Sequence, residues 1–124
     1  MQKNRYDLES RLLEYSASIV RLVEQVANTR TGNHVAGQLL RSGTAALPNH
    51  GEAQSAESAA DFIHKMKICL KELRESYRWL LLVRRIPLVE GEVAVGALIR
   101  ETDELIRVFV KSIHTAQKNI GQVG

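Results

Sequence analysis

Apolar residues recur every three or four positions along most of the chain, in four runs separated by short breaks rich in polar residues, glycine or proline. The first run, about residues 5–27, places Leu8, Leu12, Tyr15, Ile19, Leu22, Val23 and Val26 on one helix face. The break Asn28-Thr29-Arg30-Thr31-Gly32-Asn33 is turn chemistry, with Asn33 a candidate cap for the next helix. The second run, about 34–54, is led by Val35, Leu39 and Leu40. It weakens through Ser42-Gly43-Thr44-Ala45-Ala46, small residues that permit close approach of a neighbour. Pro48 lacks a backbone donor and crowds the carbonyl of Thr44, so a kink or break is expected there.

The third run, about 58–86, follows a candidate N-cap at Ser55 or Ser58 and stops at Pro87. Phe62, Ile63, Met66, Leu70, Leu73, Tyr77 and Leu80 form its predicted core face. The fourth, about 90–118, aligns Val95, Leu98, Thr102, Leu105, Ile106, Phe109, Ile113, Ala116 and, just beyond it, Ile120. Residues 121–124 are expected to be a disordered tail. No segment alternates apolar and polar residues over the length of a strand, and no hairpin dipeptide occurs. The pattern predicts an all-α protein, a single-domain antiparallel up-and-down four-helix bundle.

The third helix carries more than a core face. Lys67, Lys71, Arg74, Arg78 and Arg85 step by four, three, four and seven residues and form one stripe. Ile68, Trp79, Leu82 and Ile86 fall together on another side. Trp79 is the only tryptophan, and a lone four-helix bundle is expected to leave it largely exposed. This apolar set is the predicted homo-oligomer interface. Leu13, Val20 and Ala27, spaced by seven, widen the apolar arc of the first helix in the same sense.

Charge sharpens the picture of the stripe. The chain has 124 residues, a formal charge of +3 and a pI near 9.2. Seven of its 17 Lys and Arg residues lie in 61–86 against three acids, so the whole positive excess sits on one predicted helix. Such a row is the footprint of a phosphate-binding surface for RNA or DNA. The competing reading is a solvated face, or one paired with Glu101, Asp103 and Glu104 of the fourth helix. No aromatic lies within the stripe, so base stacking is not its mode.

Other chemistry is sparse. A single cysteine, Cys69, excludes an intrachain disulfide and a cysteine-based zinc site, and it flanks the core face as a buried thiol. His34, His50, His64 and His114 are scattered over different elements and form no metal-binding or di-iron spacing. There is no phosphate-cradling glycine loop. The expectation is a protein that is not an enzyme and uses no metal or cofactor. The first residues have no apolar leader core, and the longest apolar run, Trp79–Val83, is far short of the ~20 residues of a membrane span. A cytoplasmic location away from membranes is expected.

The run Gln38-Leu39-Leu40-Arg41-Ser42-Gly43-Thr44-Ala45-Ala46-Leu47-Pro48-Asn49-His50-Gly51-Glu52-Ala53, followed by the Phe62-containing helix with its Glu72-Leu73-Arg74-Glu75 segment, resembles the four helix bundle protein family, also called the 23S rRNA intervening-sequence protein family. Arg41, Ser42, Asn49, Glu52 and Phe62 match its pattern, whereas His50 and Gly51 stand where Ile-Ala is usual. The resemblance implies a cytosolic bacterial four-helix bundle that assembles as a homopentamer. It is also distantly similar to the accessory variability determinant of diversity-generating retroelements, which implies a nucleic acid and a reverse transcriptase-like protein as partners. Arg41, Asn49 and Glu52 are read as a structural motif, with Asn49 and Glu52 bonding backbone loosened by Pro48 and joining the second helix to its neighbours.

Two functions are therefore expected. One is a non-enzymatic homo-oligomer that binds nucleic acid, or accompanies a ribonucleoprotein, through the Lys67–Arg85 stripe. The other is a purely structural or protein-interaction oligomer with no nucleic-acid ligand.

Overall fold

The computed structural model describes the backbone of residues 2–123 and the side chains of residues 8–121. Four helices follow one another: α1 (Gln2–Val23), α2 (Arg30–Gln54), α3 (Ala59–Arg85) and α4 (Val93–Val123). Each packs on the next, and α4 closes the ring on α1 along the thinnest seam, while the backbones of diagonal helices stay apart. This is the predicted antiparallel four-helix bundle, with no strand among the described residues. The α1–α2 and α3–α4 connections meet at one end, where Ala27 N donates to Leu88 O at 2.9 Å. Gly91 in the latter connection has φ +79°, a conformation that disfavours a Cβ.

The helix starts follow capping chemistry. Thr29, not Asn33, caps α2, its side chain accepting from Gly32 N at 3.0 Å. Ser58 caps α3 by accepting from Asp61 N at 3.0 Å. Pro48 does not break α2, which runs through it to Gln54. Proline removes the backbone donor to Thr44 O, and the Asn49 side-chain amide donates to the adjacent carbonyl, Ala45 O, at 2.8 Å. Nor does α4 end before Gly121: it continues to Val123, since one exposed glycine costs a helix only about 1 kcal/mol.

The core is aliphatic, centred on Leu12, Ile19, Leu39, Leu73, Leu80, Leu105 and Phe109. Two expectations are corrected. Leu40 is 40% exposed, because Leu39 takes the core and adjacent residues are turned about 100° apart on a helix. On α3 the buried arc also takes in Cys69, Ser76 and Val83, leaving Tyr77 half-buried at its border, and Phe62 is half-buried in the first turn of the helix.

One layer of this core is polar and draws a residue from each helix. Thr102 donates to Leu98 O at 2.6 Å, so its single hydroxyl proton is committed and Tyr15 must donate to Thr102 across 2.7 Å. Ser76 donates to Ser42 at 2.8 Å. All four side chains are buried. Burial pushes the Tyr15 phenol up to about 12, against the opposing hydrogen bonds of Thr102 and Ser76.

Candidate nucleic-acid interface

The inward turn of Ile63, Met66, Cys69, Leu70, Leu73, Ser76, Leu80 and Val83 decides what α3 shows to solvent. At 100° per residue, Lys67, Lys71, Arg74, Arg78 and Arg85 fall within an arc of about 60° that points away from the core. All five are exposed. None has a carboxylate within 4.0 Å among the described residues, and the one polar contact within the row is Arg78 Nη1 to Arg74 O at 3.2 Å. Lys65, on a different arc, instead reaches Asp61 at 3.5 Å and Glu52 at 3.9 Å.

The carboxylates expected as partners for the stripe are engaged elsewhere. Arg11 of α1 bonds Glu101 through Nε at 3.1 Å and Nη2 at 2.8 Å, and approaches Glu104 at 3.4 Å. These bonds raise the Arg11 guanidinium above its ordinary range, that to Glu101 contributing most. Asp103 pairs with Arg107 at 2.9 Å on its own helix. On the other side, Arg41 of α2 bonds Glu72 at 3.1 Å and also Glu75. Glu75 accepts a further bond from Trp79 Nε1 at 3.0 Å, and first this indole, then Arg41, holds its carboxyl below the usual range.

The apolar set of α3 divides. Leu82 and Ile86 are exposed, at 37% and 54%. Ile68 and Trp79 are half-buried, so the expectation of a largely exposed tryptophan is corrected. The rotated core arc brings Trp79 to the α2 border, where its ring meets His34 edge-on at 6.0 Å and its N–H finds Glu75. Leu13, Val20 and Leu40 add exposed apolar surface on α1 and α2.

Of the motif residues, Arg41 clamps α2 to α3, Asn49 bonds its own helix backbone, and Glu52 lies 3.9 Å from Lys65 of α3. His50 is buried: Gln54 lies 3.2 Å from its Nε2, Glu9 3.9 Å from its Nδ1, and Phe109 meets the ring edge-on. Cys69 is buried beside Ala46 O, and burial pushes its thiol up to about 12. Among the described residues no group of three or more His, Cys, Asp or Glu is placed to hold a metal, and no helix is long and apolar enough to cross a membrane.

A second basic row lies on α4, where Arg100, Arg107, Lys111, His114 and Lys118 are all exposed. Its steps of seven, four, three and four were readable in the sequence. The clustering of charge on α3 draws attention away from it, because Glu101, Asp103 and Glu104 offset most of the α4 cations in a net count.

A family model described as 23S rRNA-intervening sequence protein matches residues 5–111. No curated protein matches the chain. Among solved structures, the chain is similar to a protein of unknown function from the S23 ribosomal protein family of Bacteroides thetaiotaomicron, determined at 1.70 Å. The two share 31% identity with a TM-score of 0.79, over 86% of this chain and 97% of that one. A family match over most of the sequence, with a bundle similar over nearly the whole length of a solved relative, means that the chain belongs to the 23S rRNA-intervening sequence protein family.

Proposed function

We propose that the protein is a non-catalytic, self-associating bundle that binds nucleic acid through the outer face of α3. The observation that carries this reading is the row Lys67, Lys71, Arg74, Arg78 and Arg85: five exposed cations without a carboxylate in ion-pair range among the described residues, beside a helix whose acids bond other groups. Cations held this way exchange solvent and counterions for phosphates without first breaking internal pairs. Leu82 and Ile86, with the edges of Ile68 and Trp79, supply the surface for self-association, and repeating the row around an oligomer raises its effective affinity. Five subunits is the number the family resemblance implies.

The test is binding of a labelled RNA by fluorescence anisotropy across a salt series. If all five cations meet phosphates, log K falls against log salt with a slope near −4.5, about a five-hundred-fold loss between 50 and 200 mM. Reversing Lys71, Arg74 and Arg78 to Glu lowers the slope by about three. Equal, weak binding by wild type and this variant at low salt overturns the reading. It would leave the interaction-oligomer reading, which the exposed Leu13, Val20, Leu40, Leu82 and Ile86 support.

A further inference from the structure

The α4 row stands in register with the α3 row. Arg78, Lys71 and Lys67 lie seven, fourteen and eighteen residues back from Arg85, the last residue of α3. Arg100, Arg107 and Lys111 lie seven, fourteen and eighteen residues forward from Val93, the first residue of α4. The two helices are antiparallel neighbours joined by a short turn, so these residues stand at three matched levels, Arg78 with Arg100, Lys71 with Arg107 and Lys67 with Lys111. On α4, Val95, Leu98, Thr102, Leu105, Phe109 and Ile113 turn inward, which puts the cations on its outer side. Arg107 bonds Asp103, whereas Arg100, Lys111 and Lys118 have no carboxylate within 4.0 Å among the described residues.

Resting on the nucleic-acid reading above, we infer that α3 and α4 form one two-row cationic face whose ligand is double-stranded nucleic acid, held by both of its sugar–phosphate backbones. Three observations favour a duplex over a single strand. Packed helices lie about 8–10 Å apart, and duplex grooves separate phosphate strands by about 6–12 Å, so each row can follow its own strand. Each row spans eighteen residue steps, 67 to 85 and 100 to 118, or about 27 Å, the rise of roughly eight base pairs. Among the described residues the face also offers no exposed Phe, Tyr or Trp for stacking: Phe109 is buried, Tyr77 is half-buried, and the indole of Trp79 is held by Glu75 and His34 on the α2 side. Single-strand binders draw much of their affinity from such stacking. Contacts to backbone alone carry no base sequence, so recognition at this face is independent of sequence.

The test compares wild type, the α3 variant (Lys71→Glu, Arg74→Glu, Arg78→Glu) and an α4 variant (Arg100→Gln, Lys111→Gln, Lys118→Gln). The probes are a mixed-sequence 20-bp RNA duplex, the matching DNA duplex and the separated strands, with circular dichroism confirming that each variant is folded. The expected result is tighter binding of a duplex than of its strands, and a salt slope lowered by about three units in either variant. An α4 variant that binds duplex like wild type while the α3 variant is impaired overturns the two-row face and leaves the single-row reading standing. Strands bound as tightly as duplexes overturn the duplex preference. Wild type that binds none of the probes, even at low salt, overturns the nucleic-acid reading and this inference together.

Discussion

Two glycines on α2 give opposite answers to the same substitution. A Cβ built on Gly43 would lie 2.7 Å from Ile19 Cγ2 and 2.9 Å from Cγ1, whereas one on Gly37 meets nothing within 4 Å. The two Ile19 atoms are fixed directly to its branched Cβ, and the side chain is fully buried, so it has little room to rotate away. Gly43→Ala therefore pushes α1 and α2 apart. Overpacking of this kind costs about 1–3 kcal/mol, and the gain in helix propensity returns about 0.5–1 kcal/mol. The expected net loss is about 1–2 kcal/mol. For 124 residues, 1 kcal/mol corresponds to about 4 °C in melting temperature, so Gly43→Ala melts about 4–8 °C lower and Gly37→Ala about 2–4 °C higher.

Thermal and urea unfolding followed by far-ultraviolet circular dichroism measures both. Protein concentration is held equal throughout, because self-association adds concentration-dependent stability. A double-mutant cycle checks the cause. Ile19→Ala alone leaves a cavity and costs about 2–5 kcal/mol, but in the Gly43→Ala background it also relieves the clash, so its added cost is smaller by roughly the overpacking term. Gly43→Ala as stable as wild type, or an Ile19→Ala cost unchanged in its presence, would refute the close-approach account.

Ser76→Ala leaves the Ser42 hydroxyl in the buried layer without its donor and is expected to cost about 1–3 kcal/mol; adding Ser42→Ala should cost little more, and urea titrations that show simple additivity count against the pairing. Cys69 should resist a thiol-specific reagent in the native protein and react at once in denaturant, since its thiol is buried and pushed up to about 12; stoichiometric native labelling contradicts this. Glu75 has a carboxyl pKa lowered below its ordinary 4.5, so its stabilisation is present above that value and is lost as pH falls through the lower folded value. Glu75→Gln should then flatten the acid side of a melting-temperature profile, and a profile parallel to wild type would exclude the assigned role.

The fold was legible because four long 3.6-residue periods leave few alternatives, and the corrections arise where a pattern of residue types cannot rank neighbours. Leu39 and Leu40 are equal by hydropathy, yet only one can face inward. On α3, hydropathy favours Phe62 and Tyr77 for the core, while packing admits the smaller Cys69, Ser76 and Val83 and rotates the buried arc toward α2. That rotation moves Trp79 from the expected open face to a border, and it sets the cation row facing away from the core. The four-residue polar layer was hidden for a related reason: Ser42 and Ser76 are ordinary surface residues by type, and they become core only because each finds the other.

The placement of the acids is what turns an unremarkable net charge into a directed one. Arg11 on α1 takes Glu101 and Glu104, and Arg41 on α2 takes Glu72 and Glu75, so the same arrangement latches both flanking seams. Three-residue spacing sets each glutamate pair on one side of its helix, reachable by a single guanidinium. Both arginines approach from helices outside the α3–α4 pair. Glu101 and Glu104 of α4 and Glu72 and Glu75 of α3 are thereby drawn to the edges that meet α1 and α2, while Asp103 stays with Arg107 and most cations of the same helices keep the outer face. Solvent-exposed latches of this type add little to stability, so their larger consequence is where they leave charge. Replacing Glu101 and Glu104 by Gln should free Arg11 and leave the α3 row unpaired as before, with duplex binding equal to or tighter than wild type. A weakened affinity would mean that the seam, rather than the cation rows, governs binding.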